Sequence, residues 1–139
     1  MRYNFILLLL TFSLPPVILS SQPVNDECIN AILITEVEAW CSEVAEFNNY
    51  DATISPEASP TCFPNNQDNN DVWFAFQAVA TTVNVSVIGM VPNIPGGNQQ
   101  NPQFAVYEGD CDNLNILGCA SDAFNVDQAS LFAGPLNIG

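Results

Sequence analysis

The chain reads as an all-β protein built as an antiparallel β-sandwich, and three observations point there. Short apolar stretches are separated by clusters of Pro, Gly, Asn and Asp. Several of those stretches alternate apolar and polar residues with a period of two, the mark of a strand with one buried face. No helical period of any length is present. Many short strands between turn signals are the pattern of a sandwich, and residues 22–139 suffice for one such domain.

Residues 1–21 have the layout of a secretory signal peptide: Arg2 at the start, an apolar run from Phe5 to Leu14, a Pro15-Pro16 break, and small residues at Ser20 and Ser21. The run is about ten residues, too short for the ~20 a membrane-spanning helix needs. No later segment qualifies. The mature chain is therefore expected to be exported and to begin near Gln22, with no membrane insertion after the signal is removed.

The elements follow in order. ECINA (27–31) reads as a helical turn capped by Asp26. AILITEV (31–37) and EFNNYDATI (46–54) read as strands. In VWFAFQAVA (72–80), Val72, Phe74, Phe76 and Ala78 alternate with Trp73, Ala75 and Val79, so this strand is expected to be covered on both faces. VNVSVIG (83–89) points Val83, Val85 and Val87 inward and Asn84 and Ser86 outward. The outward pair forms an N-x-S sequon, which on a strand is more often coincidence. QFAVYEG (103–109), LNILGCA (114–120) and QASLFA (128–133) are further strands. PNIPGGNQQNPQ (92–103) reads as a solvated loop at one end of the sandwich, where ligand contacts tend to lie, or as a tolerated insertion. The chain finishes in turn residues, SLFAGPLNIG, so the strand ending at Ala133 is expected to be an unpaired edge.

Charge excludes whole classes of partner and chemistry. Arg2 is the single basic residue, there is no histidine, and Asp and Glu number fifteen. Residues 22–139 cannot form one side-chain salt bridge. Their anionic field repels nucleic acid and acidic membrane surfaces, whose binding relies on Lys and Arg. Ser-His-Asp and Cys-His systems, histidine-ligated zinc and lysine Schiff bases cannot be assembled. Only a glycosidase-type carboxylate pair survives, and among fifteen acids such a pair arises by chance. The chain is read as non-enzymatic. The residues demand no cofactor. Calcium, if bound, would use Asp110, Asp112 and Asp122, with Asn113 and backbone carbonyls completing six to eight oxygen ligands. The alternative is a solvated acidic rim.

Five cysteines, Cys28, Cys41, Cys62, Cys111 and Cys119, all follow the signal segment. Disulfides are the default in an exported protein. Cys111 and Cys119 lack the CxxC spacing of a zinc or redox site, so they are expected to staple a loop to its returning strand. An odd count means either an intermolecular disulfide or a sixth cysteine outside this sequence.

The combination VNDECINAILI (24–34), Cys41, Asp51-Ala52-Thr53, Cys62, DVWFAF (71–76) and AVYEGDCDNLNILGC (105–119) resembles a module repeated in secreted multidomain surface proteins of the Bacteroidota. Those proteins often carry gliding-motility-type or type IX secretion C-terminal domains. The resemblance spans nearly all of residues 22–139 and implies a jelly-roll or CUB-like β-sandwich. In that family a Tyr-rich strand and a final strand with a sixth cysteine usually follow the Gly turn at which this sequence stops, so the C-terminal strands are expected to be missing. By that likeness Cys41 would pair with Cys62, Cys111 would pair with Cys119, and Cys28 would await the absent strand.

The expected function is a non-catalytic extracellular interaction module, adhesin-like, that binds a glycan or a protein and adjoins downstream domains of the same gene product. The alternative is an accessory domain at the front of a secreted hydrolase such as a peptidase or glycosidase. Trp40, Trp73, Tyr107 and the acidic loops fit either role. Trp73, with apolar neighbours, is expected in the core, and Trp40 is expected to pack on a disulfide at Cys41.

Overall fold

The computed structural model describes residues 22–56, 60–63, 70–90, 99–122 and 127–139. The signal segment and residues 92–98 of the long loop lie outside the described residues. Six strands and one 3-10 turn (Cys28–Asn30) are present among those described, with no α-helix: β1 (Ile32–Ile34), β2 (Phe74–Phe76), β3 (Val83–Ile88), β4 (Gln103–Asp110), β5 (Asn113–Ser121) and β6 (Gln128–Ala133). The protein is all-β. The strands pair as β3–β6 and β4–β5, both antiparallel, and as β1–β2, which is parallel. Parallel pairing requires a crossover rather than a tight hairpin, and residues 35–73 supply the length.

β3 alternates as its valines dictate: Val83, Val85 and Val87 turn inward while Asn84, Ser86 and Ile88 are exposed. Val85 faces Leu131 across the ladder and Val87 faces Ala129. On the outer face the hydroxyls of Ser86 and Ser130 lie 2.9 Å apart. β6 then packs against the β4–β5 hairpin. Gly118 permits the close approach, because a Cβ there would lie 3.2 Å from a methyl of Leu131. Val106, directly opposite Gly118, is buried.

β4 and β5 meet through the two-residue turn Cys111-Asp112. The Asp110 carboxylate accepts the Asp112 N–H at 3.2 Å, and Gly109 takes φ +122° against the Asn113 carbonyl, where a Cβ would collide. One register slip between Val106 and Tyr107 leaves Leu117 without a ladder partner.

The disulfides correct the expected pairing. Cys28 is bonded to Cys111 and Cys62 to Cys119, while Cys41 is the free, exposed thiol. Neither the Cys41–Cys62 nor the Cys111–Cys119 bridge forms, and Cys28 does not wait for a partner. Cys111 sits at the hairpin tip and Cys119 far along β5. At ~3.3 Å per strand residue the two lie roughly 20 Å apart, whereas a disulfide needs Cα atoms within about 7 Å. Cys28–Cys111 instead ties the 3-10 turn to the hairpin tip. Cys62–Cys119 ties the loop at Phe63, itself buried, to the other end of β5, where Ser121 also donates to the Cys62 carbonyl at 3.2 Å.

Two other expectations change. EFNNYDATI (46–54) forms turns instead of a strand. Tyr50 N–H donates to the Asn48 side chain at 3.0 Å, Ala52 N–H donates to the Asn49 carbonyl, and Asp51 has φ +58°. Asn and Asp satisfy the backbone locally here and outcompete a ladder. The chain after β6 is also more ordered than its turn residues imply. Leu136 is buried and its N–H donates to the Thr81 carbonyl at 2.8 Å, so residues 134–139 fold back along the segment before β3.

Candidate functional site

Two groups of side chains stand out, one closed and one open. The closed group joins the N-terminal segment to the start of β2. Asn25 Nδ2 donates to the Trp73 carbonyl at 2.9 Å, and Trp73 N–H returns a bond to the Asn25 carbonyl at 2.8 Å. Asp26, 7% exposed, accepts from both Thr53 N–H at 2.6 Å and Thr53 Oγ1 at 3.0 Å. It therefore does not cap the 3-10 turn: the capping position is Glu27, with no side-chain cap bond. Asp71 accepts from Ser55 N–H at 2.9 Å and from Ser55 Oγ, and Ser55 Oγ accepts from Trp73 Nε1 at 2.8 Å. Trp73 packs against Tyr107 with ring centroids 5.7 Å apart. These carboxylates are occupied by N–H and O–H donors, so the group holds three loops together and offers no open ligand position.

The open group lies along β1. Trp40, Phe47 and Phe74 form a three-ring cluster with centroid separations of 6.3, 6.4 and 4.9 Å, the Phe47–Phe74 pair edge-to-face. The parallel pairing puts Phe74 opposite Ile32 and turns it away from Trp73. A positive φ at Ala39 bends the loop that carries Trp40 over it. Trp40 remains 45% exposed, Phe74 36% and Leu33 63%. Beside them runs a groove of about 260 Å³, lined by β1, Trp40, Phe47, Glu36 and Glu46. Trp40 packs on these rings and not on a disulfide, since its neighbour Cys41 is free. Phe74 is thus partly exposed, whereas Trp73, one residue earlier, packs on Tyr107.

The acidic residues expected at one end of the sandwich are separated. Asp110, Asp112 and Asn113 surround the hairpin tip, while Asp122 follows β5 at its far end. Nine strand residues span roughly 25–30 Å, too far for one calcium ion to bridge. Asp122 closes a different loop: it accepts the Asp127 N–H at 2.7 Å, and Asp127 accepts the Asn101 N–H at 3.1 Å. Among the described residues, no group of three or more His, Cys, Asp or Glu is placed to hold a metal. No helix among them is long and apolar enough to cross a membrane.

In comparisons with known proteins, no family model matches the chain, and neither a curated protein nor a solved structure does. What fold and site define is a disulfide-bonded all-β domain with an aromatic groove along β1 among the described residues. Sequence reasoning singled out Trp40 but missed Phe47, Leu33 and the two glutamates. Their common signal is weak, because it depends on how the loop after β1 folds back against that strand.

Proposed function

We propose that the chain is a non-catalytic interaction module of a secreted or cell-surface protein, a jelly-roll-type sandwich that binds a glycan or a protein at the groove of Trp40 and Phe47, beside Phe74. The observation that carries this reading is a cluster of three rings, Trp40 and Phe74 exposed and Phe47 half-buried, beside a groove along β1. Exposed apolar patches of this kind mark interaction sites. Two disulfides fit an oxidising compartment, and the likeness to modules of Bacteroidota surface proteins supports a place among further domains. The lack of any imidazole or amine side chain in residues 22–139 supports binding over turnover.

The test pairs binding with catalysis. The oxidised chain and its Trp40→Ala variant are applied to arrays of oligosaccharides and peptides, and both are assayed on aryl glycosides and peptide substrates. Binding that falls about tenfold in Trp40→Ala, with no turnover, is the expected result, in line with aromatic anchors at interface hot spots. Turnover that survives Trp40→Ala and disappears on replacing an aspartate would contradict it.

A further inference from the structure

We propose that the groove along β1 receives an extended basic peptide segment, seating a lysine or arginine side chain against Trp40 and Phe47 between Glu36 and Glu46. The inference rests on the interaction reading and names the partner's chemistry. Charge complementarity is the first argument. Glu36 and Glu46 line the groove, and residues 22–139 contain no Lys, Arg or His to neutralise them. The negative faces of the rings add to that field, and aromatic rings beside carboxylates form a cation-binding surface. An anionic ligand would be repelled there.

Strand geometry is the second argument. β1 has a ladder partner on one edge only among the described residues, and Ile32 spends its N–H on the Trp73 carbonyl at 3.1 Å. The next peptide groups, at Leu33, therefore turn to the edge without a described ladder partner, and Leu33 lines the groove. An extended segment adding there gains main-chain hydrogen bonds, while alternate side chains reach the rings. Size is the third. About 260 Å³ falls below the ~300–1,000 Å³ of sites for drug-sized ligands and suits one long side chain at a time.

The test titrates the oxidised full chain with a capped hexapeptide of alternating lysine and valine, following tryptophan fluorescence, beside a peptide with glutamate for lysine and a set of neutral oligosaccharides. The lysine peptide is expected to bind and the glutamate peptide not to. Trp40→Ala and the double variant Glu36→Gln, Glu46→Gln are each expected to weaken binding about tenfold, within the range of a partly desolvated cation–π contact. Added salt should weaken it as well. The double variant changes only exposed carboxylates and keeps an acceptor for the Glu43 N–H that Glu46 receives at 2.8 Å, so it tests the proposal even where Trp40→Ala fails to fold. Equal binding of both peptides, or lysine-peptide binding unchanged in the double variant, would overturn the inference. Oligosaccharide binding that is sensitive to Trp40→Ala, without lysine-peptide binding, would overturn it too but leave the interaction reading standing. No binding of any probe would count against both.

Discussion

Replacing Cys28 and Cys111 together by serine is expected to lower unfolding free energy by about 2 to 5 kcal/mol, the largest single effect accessible in this chain. The bridge closes a sequence separation of 83 residues, against 57 for Cys62–Cys119, and loop-closure entropy grows with that length. It also attaches the segment bearing Asn25 and Asp26 to the hairpin tip, so its loss frees the edge from which β1 starts. Such a loss is a large share of the ~5 to 15 kcal/mol a domain possesses. Denaturant midpoints of the oxidised parent and the double variant measure it. Peptide mapping of the parent should recover Cys28 linked to Cys111 and Cys62 linked to Cys119, with one titratable thiol at Cys41. Peptides joining Cys111 to Cys119, or Cys41 to Cys62, would show that the hairpin is not formed as described.

Asp26→Ala is expected to destabilise by about 2 to 3 kcal/mol, because it removes the acceptor of two hydrogen bonds at a buried carboxylate and orphans the donors of Thr53. Thr53→Val, which deletes only the hydroxyl, should cost about 1 kcal/mol on the same grounds. The comparison separates the two bonds. An Asp26→Ala variant that unfolds at the parent's midpoint would mean that the carboxylate does not tie the N-terminal segment to the Thr53 loop.

The strands legible in the sequence are those whose pattern is local. Val83 to Val87 alternate cleanly and form β3 with the valines inward, and the hairpin around Cys111 announces itself through Gly109, Asp110 and Asp112. Elements that depend on distant partners were not legible. The 46–54 stretch has strand-like Phe47, Tyr50 and Ile54, yet its asparagines and Asp51 fold it into turns. Cysteine spacing was misleading for a similar reason. Two cysteines near in sequence are held apart when an extended strand lies between them, and the true partners come from opposite ends of the chain. The motif residues Asn25, Asp26, Thr53, Asp71 and Trp73 are scattered in sequence but converge in one hydrogen-bonded group. The proposed groove lies elsewhere, along β1, where sequence marked only Trp40.

The claim that the groove is the binding surface is tested most directly by amide and indole chemical shifts, recorded as the lysine–valine hexapeptide, or whichever oligosaccharide binds, is added to the oxidised chain. The largest changes are expected at the Trp40 indole and at the amides of Leu33, Phe47 and Phe74, with Trp73 and the Asp110–Asn113 turn unmoved. Changes concentrated at the turn, or at the Trp73 indole while Trp40 stays still, would contradict the account.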